Sequence, residues 1–412
     1  MPTLTITSTT IAQISRLDLQ DLNTPSLASI TDVKHLSSYN WIEAPTPTIA
    51  VPGCPPLWSA LKVPKRLQKD SSLIYITQNA ARHPDSPLEP LFRALYIASP
   101  LYDIRSINIV TDRNNIRKLL SFINPGSTRN GLDTFTINIE TTKNTTIFCR
   151  EEATTHELIG PQEFRGYSHE FEKANTTNQI SGSTGHHRII SYRFGDLSFI
   201  IRHKTDRYIK LDTNTIIPSP NSQERENDSL SNLLKSLSLS SSTNSPPTTT
   251  PAGSRLTIRE EGQVVPLELT MELKTRVSHK PLQLREVVLQ LWISQTPKLV
   301  RAYYTKSKFQ VLEVKDIAVQ VKRWEEGNQN NLRKLATLIS KILQLVKGYN
   351  GHTTIKYNNK GDKLVIRKAD GDTILPQDLY SKWDNMGNSE DTGTESTIKH
   401  VDGVETKEGS KM

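Results

Sequence analysis

Cysteine is scarce in this 412-residue chain, aromatics are few, and long apolar runs are missing. Two cysteines, Cys54 and Cys149, make neither a disulfide framework nor a metal-ligand spacing, so a reduced cytosolic or nuclear protein is expected. No apolar stretch approaches the length that spans a bilayer, and the start MPTLTITSTTIAQISRL has neither the basic opening nor the continuous apolar region of a secretory signal. No membrane partner is expected. The glycine-rich loop G-x-x-x-x-G-K-[ST] is absent, which argues against a nucleoside triphosphatase. No two aspartates are adjacent, so the DDxxD clusters of diphosphate-handling prenyl synthases are excluded. Aromatics make up 6% and form no signature for stacking RNA bases.

What is present is polar and mildly basic. The hydrophobic share of 35% is low for a wholly packed protein, so part of the chain should be unpacked. Lys+Arg 51 against Asp+Glu 43 gives a formal charge of +8, compatible with a polyanionic partner without naming it. Residues 1–38 are Ser/Thr-rich and read as a disordered leader. Residues 39–370 read as one domain, interrupted at 213–255 by SLSLSSSTNSPPTTTPAGS and its flanks, which cannot bury enough apolar surface to offset their ordering entropy. Residues 371–412 read as a disordered tail.

Within the domain, helical spacing of apolar residues marks 88–98, 114–123, 164–175, 282–293 and 330–347. Alternation marks strands at 72–78, 108–112, 135–139, 144–150, 299–304 and 310–313, and a closing hairpin at 353–357 and 363–367. Residues 188–206 form the clearest hairpin, turning at Gly195-Asp196. Residues 39–56 read as extended chain along a surface, and 180–187, with His186 and His187, as an exposed loop without a role.

The chemistry concentrates in LELTMELKTR, residues 267–276. As a strand it sends Glu272 and Lys274 to one face, with the leucines behind. The strand 197–206 brings Asp206 forward in the same manner. A carboxylate at a strand end beside Glu-x-Lys on a neighbouring strand is an arrangement of metal-dependent nucleases, in which carboxylates hold a hard cation and the lysine orients water. Alternating charge on a half-exposed strand is also an ordinary solvated face, and the pattern alone does not separate the two.

The order of several stretches resembles the decapping exoribonuclease (DXO) family, which includes the fungal partner of the nuclear 5′-to-3′ exoribonuclease. NIVTDRNNIRKLL, residues 108–120, resembles its first motif and aligns Arg113. Residues 133–152, ending IFCREE, resemble the next block. GYSHEFEK, residues 166–173, is similar to its G-Y-K-F-E helix; the FEK match selects Glu172, while the glycine spacing selects Glu170. RHKTD matches the family's E-hydrophobic-D at Asp206 but carries Lys204 in place of the glutamate. Glu272-Leu273-Lys274 matches the last motif in full, and WISQTP, residues 292–297, places Gln295 near that family's glutamine.

The resemblance implies an α+β fold, PD-(D/E)xK nuclease-like, with mixed sheets and flanking helices. It implies a metal-dependent hydrolase of RNA 5′ ends that removes incomplete or non-canonical caps or 5′ pyrophosphate, with Mg2+ or Mn2+ as cofactor. In that scheme Asp206, Glu272, the Leu273 carbonyl and Glu172 (or Glu170) serve the metal, Lys274 the attacking water, and Arg113 and Gln295 the substrate. A 5′-to-3′ exoribonuclease partner and a nuclear rather than cytoplasmic location are implied as well. Lys204 opposes the scheme: it removes a negative charge and adds a positive one where a cation must bind. A catalytically impaired relative that binds RNA or protein is therefore the alternative.

Overall fold

Pairs of adjacent apolar residues recur in the strands, at Ile109-Val110, Ile147-Phe148, Ile189-Ile190 and Ile200-Ile201. Successive side chains leave a strand on opposite faces, so such pairs require a sheet covered on both sides. In the computed structural model, Ile109, Phe148, Ile190 and Ile201 pack with the helices Arg113–Ile123 and Gln329–Lys347. Their neighbours Val110, Ile147, Ile189 and Ile200 pack on the other side with the helix Glu89–Ala98. The structure describes residues 9–19, 27–127, 131–160, 162–210, 246–349, 351–369 and 371–384.

The large sheet has 12 strands among the described residues. At its centre Ile109–Asp112 runs parallel to both Thr145–Glu151 and Leu197–Thr205. Next come Ser183–Phe194 and Ile30–Ile42, both antiparallel. A smaller sheet is built on Arg207–Tyr208, Thr270–Val277 and Lys298–Thr305. The chain passes from one sheet to the other within a single residue: Leu197–Thr205 ends, Asp206 intervenes, and Arg207–Tyr208 begins. The mixed α+β architecture with flanking helices is as expected, and the crossing at Asp206 positions the site.

Several expectations are corrected. The supposed leader contains the strand Thr10–Ser15, paired to Lys363–Ala369, and the 13-residue strand Ile30–Ile42 inside the large sheet. Two of its buried serines find partners there: Ser37 Oγ donates to the Ala94 carbonyl at 2.7 Å and Ser38 Oγ to that of Pro52 at 2.8 Å. Most of residues 39–56 is core rather than surface, with Tyr39, Asn40 and Trp41 each 0% exposed, and only the turn around Glu43, Pro45 and Thr46 reaches solvent. The stretch 180–187 is no exposed loop either. His186 and His187 lie on the strand Ser183–Phe194, buried between neighbours on both sides.

The tail is ordered through Asp384: Leu375, Leu379 and Trp383 enter the core, and Trp383 Nε1 donates to Thr145 Oγ1 at 2.8 Å. The rest of the predicted tail, 385–412, lies outside the described residues, as do 1–8 and 20–26 of the leader and 213–245 of the insertion. The insertion's last part is described, and there Thr248–Thr249 pairs with the strand Thr257–Gly262. Leu267–Leu269 is a 3-10 turn, so the motif strand begins at Thr270. The helix predicted over 164–175 is Ser168–Ala174, that over 282–293 divides into a 3-10 turn and Val288–Ser294, and 310–313 is not a strand.

Candidate functional site

A cleft of about 900 Å³ opens where the ends of Ile109–Asp112, Leu197–Thr205 and Ser183–Phe194 meet the helix Ser168–Ala174. That helix is short, and Asp70 holds its N-terminus: Oδ2 accepts from the Ser168 amide at 2.8 Å and Oδ1 from that of Glu170 at 3.0 Å. Phe171 anchors the inner face against Phe309, with ring centroids 4.5 Å apart. Glu172 is thereby turned to the cleft, 3.5 Å from Arg207 Nη2. Glu170 does not line the cleft and pairs with Lys173 at 2.8 Å, so of the two glutamates it is Glu172 that faces the cleft.

Asp206 sits at the crossing between the sheets, and its Oδ2 accepts the Leu273 amide at 3.0 Å. Leu273 thus meets the site through its N–H. Burial raises the Asp206 pKa, but Arg207, Lys274, Lys204 and that amide outweigh it and hold the group down at about 2. Lys204, expected beside Asp206, is exposed and lines the cleft with it.

Glu272 departs most from expectation. At 3% exposure it is closed over, its Oε1 accepting Lys274 Nζ at 2.6 Å and Gln290 Nε2 at 2.5 Å, while Arg113 Nη1 stands 3.6 Å from Oε2. Glu272 lines neither this cleft nor its neighbour, and Lys274 lines the neighbour. Arg113 faces the cleft from the start of its helix. Gln295 does not: it caps Val288–Ser294 in the left-handed region at φ 52° and donates to the Trp292 carbonyl. The amide at the cleft is Gln290, one and a half turns earlier on that helix.

The donor set does not fit a divalent cation as folded. Glu172, Asp206 and Glu272 carry three negative charges, while Arg113, Lys204, Arg207 and Lys274 supply four positive ones in contact or nearby. Among the described residues no three His, Cys, Asp or Glu side chains form a group able to hold a metal. A hard cation needs an excess of oxygen charge, and the protein's own cations already occupy it.

The surrounding surface is basic. Seven Lys and Arg residues line the cleft against four Asp and Glu. A second cleft of about 1020 Å³ adjoins it, with Lys274, Arg276, Lys280 and Arg285 against Glu286. Arg117 and Gln290 line both, which makes one continuous groove. Sequence reasoning missed Arg207, Gln290 and the second cleft. For Arg207 the signal was its place next to Asp206; for the second cleft it was the run of Lys274, Arg276, Lys280 and Arg285, which only the fold joins to Arg117 and Trp324.

Solved structures share this architecture. Rai1 of S. pombe, a triple mutant in complex with 3′-FADP, superposes with a TM-score of 0.53 at 12% identity, over 87% of this chain and 99% of that one. Rai1 of Scheffersomyces stipitis gives 0.52 at 12%, over 90% and 97%, and Candida albicans Rai1 in complex with pU5-Mn2+ gives 0.51 at 10%, over 87% and 96%. The fold is that of the decapping exoribonucleases, as the motif order implied. No curated protein matches the chain. The chain belongs to the family described as Domain of unknown function (DUF8563), whose model matches residues 9–379.

Proposed function

We propose that this protein binds phosphorylated RNA 5′ ends in the groove and that it does so without a resident metal. The observation that carries this reading is the charge of the site: on a nuclease-like fold, the carboxylates are outnumbered by cations and Glu272 is sealed beneath three of its neighbours. The terminal phosphate would meet Arg113, Lys204 and Arg207, whose exposed or unpartnered donors suit phosphate oxygens. The following nucleotides would run over Arg117 into the second cleft, where the positive lining neutralises backbone phosphates without reading sequence. A 5′-to-3′ exoribonuclease partner and a nuclear setting belong to the same proposal, and co-purification tests them.

The metal-dependent hydrolase is the second reading, favoured by one observation: Glu272 and Lys274 remain in contact at 2.6 Å. Calorimetry with Mg2+ and Mn2+, alongside binding and turnover of 5′-phosphate, 5′-triphosphate and 5′-hydroxyl RNA, separates the two. The binding reading expects a preference for 5′-phosphorylated over 5′-hydroxyl RNA, no metal uptake and no turnover, with metal affinity appearing in Lys204→Glu. Metal-dependent turnover by the wild type, lost in Glu272→Ala, would establish the hydrolase instead.

A further inference from the structure

Arg188, on the strand Ser183–Phe194, is 0% exposed. Among the described residues its hydrogen bonding is a single contact, Nη1 to the Val265 carbonyl at 2.7 Å, while Nε and Nη2 have no partner. Burial pushes its pKa down to about 10, with some relief from the exposed Glu268. A guanidinium held in the interior without an anion is costly, and its surroundings should supply one.

The surroundings are histidines instead. His203 stands directly opposite on Leu197–Thr205, and His186, two residues before Arg188, lies on the same strand face opposite Thr205. His35 comes from the adjoining strand Ile30–Ile42. His186 Nδ1 lies 2.7 Å from Asn40 Oδ1, an oxygen that already accepts the Cys54 amide, so Nδ1 donates and Nε2 carries the lone pair. His203 Nδ1 likewise donates to the Lys204 carbonyl at 3.3 Å. Nε2 of His35, His186 and His203 and Oγ1 of Thr205 are all buried without a partner. Burial, then the charges of Arg188 and, for His203, Arg113, keep these rings neutral. His187 leaves the strand on the opposite face, stacked on Tyr39 with ring centroids 5.1 Å apart, and adds to the electrostatic bias against protonating His186.

His186, His203 and Thr205 line the first cleft while Arg188 does not, so a ligand would reach Arg188 past these three side chains. We propose that Arg188, His186, His203 and Thr205, backed by His35, form a buried subsite for a phosphoryl oxyanion, distinct from the carboxylates around Asp206. The anion supplies the counter-charge that Arg188 lacks and accepts from its Nε and Nη2 and from Thr205 Oγ1. Its charge draws a proton from solvent onto Nε2 of His186 or His203, which converts a lone pair into a donor. A cation is not the ligand: Arg188 repels it, and among the described residues no three donors form a metal-holding group. The inference rests on Arg188 and not on the RNA reading.

The test is thermal unfolding and calorimetry of the full chain with inorganic phosphate, at constant ionic strength, at pH 6 and pH 8. Phosphate is expected to raise the wild-type Tm by about 2 °C or more at pH 6 and by less at pH 8, since binding takes up a proton. Arg188→Met should abolish the shift, His203→Gln should weaken it and flatten its pH dependence, and Arg113→Ala should keep it. His203→Gln carries the same decision should Arg188→Met not fold. Competition by 5′-phosphorylated but not 5′-hydroxyl oligoribonucleotide would identify an RNA end as the source of the phosphoryl group; no competition would identify the free ion. No shift at either pH, or a shift kept in Arg188→Met and lost in Arg113→Ala, would overturn the subsite.

Discussion

Arg188 and Arg202 are both fully buried, on adjacent strands of one sheet, and the molecule treats them in opposite ways. Arg202 is saturated: Nε and Nη2 reach the two Asp112 oxygens at 2.7 and 2.9 Å, and Nη1 reaches the Pro87 carbonyl at 2.6 Å and Tyr39 Oη at 3.2 Å. Burial opposes its charge, yet Asp112 more than compensates and its pKa is raised. Arg188 has one carbonyl and no carboxylate partner. A buried cation with its anion built in is a structural element, tying the strand Leu197–Thr205 to the start of the Arg113–Ile123 helix. One without an anion is an open valence, and the fold has placed it behind a cleft.

Breaking the saturated pair should have the largest effect. Arg202→Met leaves Asp112 without its bidentate partner and should cost about 3 kcal/mol in urea unfolding; a loss below about 1 kcal/mol would mean that the contrast with Arg188 is not energetic. Asp206 is the intermediate case, an anion held among cations. Its lowered pKa means that its stabilisation is full above about pH 4 and is lost as pH falls toward 2. Asp206→Asn should therefore flatten the acid limb of stability against pH by about 1 kcal/mol, read from urea midpoints between pH 3 and 7.

Arg188→Met should stay within about 1 kcal/mol of wild type without phosphate, in either direction, because the replacement removes an uncompensated buried charge while keeping the packing. A cost as large as that of Arg202→Met would erase the distinction. The smallest effect belongs to the surface: Lys173→Ala breaks the ion pair with Glu170 and should change stability by about 0.5 kcal/mol or less. A larger change would mean that the helix carrying Glu172 depends on that pair rather than on Asp70.

The motif residues were legible because each sits at a fixed place in a local pattern: Arg113 ahead of a helix, Asp206 at a strand end, Glu272 and Lys274 two apart on a strand. Where packing decides, the reading failed. Residues 27–38 and 371–384 show no long periodic apolar pattern, yet they take fixed places because distant strands and the core accept Ser37, Ser38, Leu379 and Trp383. The sequence neighbours of Gln295 point to it, while the amide that reaches Glu272 is Gln290, on the helix face turned inward.

By itself the sequence determined the sheet and helix periodicities, the hairpin at Gly195 and the presence of Lys204 beside Asp206, since alternation, turn geometry and the charge of a side chain are local properties. Only the tertiary structure decided that Glu272 is sealed by Arg113, Lys274 and Gln290, and that His35, His186, Arg188 and His203 share one face. Those placements depend on which strands pair and in what register, and register is set by the whole core at once.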